Sequence, residues 1–424
     1  MKITGKAQNL CGTFTLAGDK SISHRAIMHA ALSPAISRLE NVLRAGVTEA
    51  MLRCLRQLGV QITDEGSTLT IQGGHWHAPT EPLDCGNSGT TMRLFLGALA
   101  GQNLTVTLTG TPGLQRRPMA RLADPLRRMG AQIDRDYAPL TVHGGHLHGC
   151  EHRSAVASAQ VKAGLLLAAL QADSPTTIHE PGPSRDHSER MLQALGLKVE
   201  RHGHSVTLYP NGYPLPATHL VLPGDISSAA FLICIALIVP GSAITLQGIG
   251  VNPTRTGILD ALLAMGADIT LSNQREVAGE PVADISARYS KLHATEISGD
   301  LVVRMIDEFP IFTIVMTQAT GTTVVREAAE LRLKESDRIA ALAGELRKLG
   351  VTITEYPDGY AINGPQEINA GTVQSHGDHR LAMALAIAGL LCAGSVQVEQ
   401  FEAVQESFPS FVPILHNLGA AVQA

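Results

Sequence analysis

Six stretches of the chain are rich in alanine and aliphatic residues around nearly the whole helical circumference, and each begins with small, polar or charged residues. They are GDKSISHRAIMHAAL from Gly18, GNSGTTMRLFLGALA from Gly86, SAQVKAGLLLAAL from Ser158, GDISSAAFLICIALIV from Gly224, DEFPIFTIVMTQA from Asp307 and GDHRLAMALAIAGLL from Gly377. A helix without a polar face has to be buried, so these stretches predict six core helices. Their first turns are polar because the N–H groups there have no partner inside the helix. The same ends carry partial positive charge, which makes each a candidate anion site.

A second pattern runs in phase with the first. LRQLGVQI ends at Ile62, LRRMGAQI at Ile133, LQALGLKV at Val199, LLAMGADI at Ile269, LRKLGVTI at Ile353 and LHNLGAAV at Val422. Each reads as the last turn of an amphipathic helix, a glycine stop and the first residues of a strand. Gly59, Gly130, Gly196, Gly266, Gly350 and Gly419 would take the left-handed conformation that ends a helix. The phrase recurs roughly every 70 residues and uses up the chain, which signals an internally repeated fold. Alternating segments such as Thr105–Gly110 and Ser205–Pro210 read as half-buried strands. The prediction is an α+β fold of six units, each with short strands and two helices.

Three units precede Gly224 and three follow it, so Pro223-Gly224 is a candidate domain boundary and the stretch before Lys20 a second crossing. A chain of 424 residues is expected to form two domains, here 19–223 and 1–18 plus 224–424. The net charge of −5 argues against a general nucleic-acid binder. The six cysteines are scattered without CxxC pairs, as expected of reduced thiols in a cytoplasmic protein. The start, MKITGKAQNL, has no apolar signal core, and the longest apolar run, Ala229 to Val239, is too short to span a bilayer.

Cationic residues gather beside the predicted helix starts: Lys20 and Arg25, Arg117 in LQRRPM, Arg185 in PSRDHSERM, Lys334 and Arg338 in LRLKESDRI, and Arg380 after Gly377-Asp378-His379. Any one of them alone is more often a solvated charge or a local salt bridge. Their recurrence points to a small anionic ligand, because a guanidinium grips carboxylate or phosphate with paired hydrogen bonds. Asp307 and Glu335 stand among these cations, and Glu308 could share the helix-start role of Asp307. Such carboxylates are either charge-neutralising partners or a general acid and base; spacing alone does not choose between them.

The segments GDKSISHRA, GNSGTTMRL, RRPM, ASAQVKAG, SRDHSERML, MIDEFP, LRLKESDRI, GDHRLAMA and FPSF resemble, in order, the signature segments of the EPSP synthase family. The resemblance implies the enolpyruvyl transferase fold, two inside-out domains of three repeats each that close on substrates in the cleft between them. It implies transfer of the enolpyruvyl group of phosphoenolpyruvate to the 5-hydroxyl of shikimate 3-phosphate, with release of phosphate. Carried over residue by residue, Lys20, Ser21, Arg25, Ser158, Ala159, Gln160, Arg185, Asp307 and Lys334 would bind shikimate 3-phosphate. Lys20, Gly89, Arg117, Gln160, Arg338 and Arg380 would face phosphoenolpyruvate. Asp307, Glu335 and Lys20 would be catalytic, Asp307 as base for the 5-hydroxyl and Glu335 as the acid that protonates the methylene carbon. The resemblance further implies a monomer needing no cofactor or metal and, through Gly89, sensitivity to the inhibitor glyphosate, while the acidic net charge and the short apolar run predict no nucleic-acid or membrane partner.

Two positions depart from the family pattern. Ala17 stands where a proline often precedes Gly18, and Glu406 where some members carry a phosphoenolpyruvate-binding lysine. The rival reading as a UDP-N-acetylglucosamine enolpyruvyl transferase is disfavoured by the loop GTPGLQRRP, which has no cysteine, and by Lys20-Ser21 where a lysine-asparagine pair is typical. The related RNA 3′-phosphate cyclases are disfavoured by the acidic total and the lack of a nucleotide-handling segment. A non-catalytic anion-binding protein on the same fold would not require both Asp307 and Glu335. The cluster His143, His146, His148, Cys150 and His152 reads as an exposed turn rather than a metal site, since Glu151 is its only carboxylate and a structural zinc site needs convergent ligands.

Overall fold

The computed structural model describes residues 1–210 and 213–423. Asn211, Gly212 and Ala424, the last closing the second expected domain, lie outside the described residues. The six predicted core helices are α1 (Lys20–Ala31), α2 (Gly89–Ala100), α3 (Ala159–Ala169), α4 (Ile226–Ile238), α5 (Phe309–Met316) and α6 (His379–Leu391). In α4 and α6 every residue is buried, as an all-round apolar sequence demands.

The six amphipathic phrases end helices Gly46–Gln57, Ala120–Met129, His187–Ala194, Gly257–Ala264, Arg338–Lys348 and Phe411–Asn417. Their glycines have φ of 91°, 117°, 85°, 87°, 85° and 85° in chain order, the left-handed region that a Cβ disfavours. A strand begins within four residues of each glycine.

Among the described residues the strands assemble into six four-stranded sheets, one per repeat. In the sheet of the second repeat, Leu83–Asp84 pairs in parallel with Thr105–Thr109, which pairs antiparallel with Leu140–His143, itself antiparallel to Gln132–Ile133. The others follow this scheme with strands borrowed where the chain crosses. Cys11–Thr15 pairs in parallel with Ala243–Gly250, and Lys2–Thr4 lies between Ser395–Glu399 and Val422–Gln423.

Two compact units result. The first comprises 17–223 with 276–280, and the second 1–16, 224–275 and 281–424. Each has its own hydrophobic core. The division differs from the expected one in two places. Ala17 and Gly18 group with the first unit, where Gly18 N donates to Asn41 O (3.0 Å) and Asp19 N to Pro223 O (2.8 Å). The short segment 276–280 also groups there: His187 Nδ1 lies 2.8 Å from Glu280 Oε1, and Arg190 Nη1 donates to Gly279 O at 3.0 Å. Nothing in the local sequence of that segment announces those partners.

Candidate active site

In the first unit the expected residues stand at the starts of α1, α2 and α3 or in adjoining loops. Asp19 caps α1, its Oδ1 accepting from Ser21 N at 2.7 Å and Ile22 N at 2.9 Å. Arg25, one turn further on, is buried and reaches three ways. Its Nε donates to Ser188 Oγ (2.7 Å), Nη1 to Ser21 O (2.9 Å) and Nη2 to Ala159 O (3.3 Å). One guanidinium thus ties the start of α1 to the start of α3 and to helix His187–Ala194. Burial pulls its pKa down to about 10; Arg185 pushes the same way, against Glu189 and Asp19. Arg25 remains charged at neutral pH, and Arg185 is near enough for mutual repulsion that an anion would relieve.

Lys20, Ser21, Ser158 and Ala159 share this neighbourhood. Burial, with Lys20 and Arg25 acting in the same direction, lowers His24 to about 4, so its ring is neutral. His24 Nδ1 donates to Lys20 O at 2.7 Å and leaves Nε2 to accept, 3.4 Å from Ser88 Oγ. Ser158 caps α3, and its N–H donates to Glu180 Oε1 at 2.8 Å. Glu180 Oε2 accepts from Ser184 Oγ at 2.7 Å and lies 2.8 Å from Lys162 Nζ, which is also 2.8 Å from Glu189 Oε1. The loop carrying Arg185 is thereby pinned to the first residue before α3.

A second cluster in this unit forms around Gly89, the first residue of α2. A Cβ there would lie 2.9 Å from Arg93 Nη1 and 3.3 Å from Arg117 Nη1. Arg93 Nη1 donates to Gln160 Oε1 at 2.6 Å, and Gln160 Nε2 donates to Thr90 Oγ1 at 3.0 Å. Gly89, Arg117 and Gln160 therefore converge on Arg93, a residue the sequence reading missed. Its signal was a lone charge inside an otherwise apolar helix. Burial lowers Arg93 to about 10, with Arg117 and Arg121 adding repulsion.

The second unit gathers Asp307, Lys334, Glu335, Arg338 and Arg380. Asp307 lies in the turn before α5, with Oδ1 3.6 Å from Arg338 Nη1 and Oδ2 3.5 Å from Arg380 Nη2; Arg380 Nη1 also donates to its carbonyl at 3.1 Å. Arg338 Nη2 donates to Glu335 Oε2 at 2.8 Å. Burial works against the charge on Arg338, but Asp378, Glu335 and Asp307 outweigh it and hold its pKa above the ordinary value. Lys334 is shifted down by burial, which outweighs the pull of Asp307 and Glu330. Glu308, the alternative to Asp307, is buried and accepts a short hydrogen bond from Ser227 Oγ instead.

The helix starts are less alike as anion sites than the pattern predicts. Asp19, Asp225 and Asp378 already occupy first-turn N–H groups of α1, α4 and α6. At α1 and α6 the positive charge comes from side chains, Lys20, Arg25 and Arg380. At α2 and α3 the caps are the neutral Ser88 and Ser158.

The family model for EPSP synthase (3-phosphoshikimate 1-carboxyvinyltransferase) matches residues 4–415. This chain belongs to the EPSP synthase family. It is 50% identical over 419 residues to a 3-phosphoshikimate 1-carboxyvinyltransferase of Geobacter sp. (strain M21), covering 97% of each chain. It is similar in structure to the EPSP synthase of Acinetobacter baumannii, with a TM-score of 0.90, 40% identity and coverage of 98% and 97%. The enolpyruvyl transferase NikO of Streptomyces tendae shares the fold at a TM-score of 0.83 and 20% identity, covering 99% and 97%. Within this EPSP synthase family chain the second residue that sequence reasoning passed over is Asp378, whose signal was an acid directly before a buried helix.

Proposed function

We propose that this chain transfers the enolpyruvyl group of phosphoenolpyruvate to the 5-hydroxyl of shikimate 3-phosphate and releases phosphate, a step of the shikimate pathway to aromatic amino acids. The observation that carries this reading is the pairing of two partly exposed carboxylates, Asp307 and Glu335, with the buried cations Arg338 and Arg380. Two cations of this kind offset the charge of a polyanionic substrate, while the carboxylates supply proton transfer that binding alone does not need.

Glu335 gives a proton to the methylene carbon of phosphoenolpyruvate, and carbon 2 becomes electrophilic. Asp307, aided by Lys20, accepts the proton of the 5-hydroxyl as its oxygen adds to that carbon. The tetrahedral adduct then returns a proton from the new methyl group to the Glu335 carboxylate; the carbon–oxygen bond to phosphate breaks, the departing phosphate takes the proton held by Asp307, and the enol ether double bond forms. Lys20, Ser21, Arg25, Ser158, Ala159, Gln160 and Arg185 hold shikimate 3-phosphate, with Asp307 and Lys334 on its ring hydroxyls. Lys20, Gly89, Arg117, Gln160, Arg338 and Arg380 hold phosphoenolpyruvate. Because Arg338 is shared among Asp307, Glu335 and Asp378, an arriving anion competes with Glu335 for it. We assign the protein to the cytoplasm as a monomer, and expect glyphosate to compete with phosphoenolpyruvate.

The test is phosphate release from phosphoenolpyruvate with shikimate 3-phosphate, and separately with UDP-N-acetylglucosamine. Release only with shikimate 3-phosphate, lost in Glu335→Ala, supports the reading. Release only with the nucleotide sugar overturns the substrate, and undiminished release in Glu335→Ala overturns the role of Glu335.

A further inference from the structure

The turn that the sequence presents as a decoy acquires a convergent carboxylate in the fold. His146 Nε2 and His148 Nδ1 lie 3.1 Å and 2.7 Å from the same oxygen, Asp173 Oδ2. The three ligand atoms fall within 4.8 Å of one another. The other two histidines of the sequence cluster are engaged elsewhere: His143 Nδ1 is 2.9 Å from Thr105 Oγ1, and His152 Nδ1 accepts from Arg128 Nη2 at 2.8 Å, while Cys150 is a free cysteine.

The backbone holds this arrangement in place. Leu147 is fully buried and forms an isolated parallel bridge with Ala172, so the side chains on either side of it both face outward. Asp173 N donates to Leu147 O at 2.9 Å, and His148 N donates to Met129 O at 2.8 Å. The carboxylate is oriented from behind, since Ser174 Oγ donates to Asp173 Oδ1 at 2.7 Å. That is the outer-shell hydrogen bond that fixes a metal-ligating carboxylate.

We propose that His146, His148 and Asp173 form an accessory site for a divalent transition metal of the zinc class, separate from the residues assigned to catalysis. Two imidazoles and one carboxylate are a three-ligand set of the kind zinc accepts, with a fourth position open to water. Zinc bonds of about 2.0–2.1 Å put tetrahedral ligand atoms roughly 3.3 Å apart. The side chains of His146 and His148 are 70% and 63% exposed, so the imidazoles would turn toward that spacing on binding. The ion would clamp the turn at His146–His148 to the turn at Asp173.

The experiment is calorimetric titration of the metal-free full chain with zinc chloride. It compares the parent with His146→Ala, His148→Ala and Asp173→Ala, and with Cys150→Ser as the thiol control. One zinc per chain is expected in the parent and in Cys150→Ser. Affinity should fall at least about tenfold in each of the other three variants, since loss of even an outer-shell partner costs that much. Cobalt should give a visible spectrum without a thiolate charge-transfer band. Absence of binding, binding indifferent to the three substitutions, or a thiolate band lost in Cys150→Ser would each overturn the site. Phosphate release should be equal in His148→Ala and the parent.

Discussion

Asp378 holds Arg338 in an ion pair, with Oδ2 2.8 Å from Arg338 Nε, while its Oδ1 accepts from the backbone N–H of Arg380 at 2.9 Å. One buried carboxylate thus sets the position of both arginines assigned to phosphoenolpyruvate in the second unit. Burial alone would raise its pKa, but Arg338 and His379 outweigh that and hold it below the ordinary range.

Removing Asp378 leaves Arg338 buried with a weaker set of partners. Asp378→Ala should cost about 3 kcal/mol of stability, the lower range for one partner of a buried pair, and raise KM for phosphoenolpyruvate. Asp378→Asn, which keeps an N-cap acceptor, should lose less stability. Urea unfolding with steady-state kinetics checks both; an Asp378→Ala protein with parental KM would show that Arg338 needs no such anchor.

Gly89→Ala places a methyl group against the far ends of two flexible arginines, not against backbone. The protein should therefore fold normally, while Arg93 and Arg117 shift by tenths of an ångström. KM for phosphoenolpyruvate should rise by about tenfold, about 1.4 kcal/mol, with a smaller change in kcat, and glyphosate inhibition should weaken in parallel. Inhibition curves at fixed phosphoenolpyruvate decide it; unchanged sensitivity would remove Gly89 from that role.

Lys162 is charged despite its burial, because Glu189 and Glu180 outweigh the desolvation that would lower its pKa. Lys162→Met would leave two buried carboxylates facing each other and loosen the Glu180 contacts with Ser158 and Ser184. We expect a stability loss of about 3–5 kcal/mol and a higher KM for shikimate 3-phosphate, with KM for phosphoenolpyruvate changed less. Equal changes in both constants would mean a general structural defect.

His24 and His29 predict acid sensitivity. Burial lowers them from 6.5 to about 4 and about 3, so the folded state binds fewer protons than the unfolded state below pH 6.5. Their contribution is fully present above that value and is lost as pH falls, through about 4 for His24 and about 3 for His29. At about 1.4 kcal/mol per unit, the loss reaches several kcal/mol. His29→Leu should flatten the dependence of unfolding free energy on pH in that window, since the His29 Nδ1 has no hydrogen-bond partner among the described residues to lose. A slope unchanged by the substitution would assign the acid sensitivity elsewhere.

The sequence by itself determined the repeat, the six buried helices and the six glycine stops, because helix burial and left-handed caps depend on residues within one or two turns. It also determined the segments from which the site is drawn, since a cation beside a core helix start is a local pattern. Only the tertiary structure decided which of those groups meet. Arg25 and Ala159 are separated by 134 positions, Arg338 and Asp378 by 40, and His148 and Asp173 by 25. The grouping of 276–280 with the first unit, the turning of Glu308 toward Ser227 and the convergence on Arg93 belong to the same class. Contacts of this kind arise when separate helices and strands pack their apolar faces and carry polar groups along with them, and no periodicity along the chain encodes that outcome.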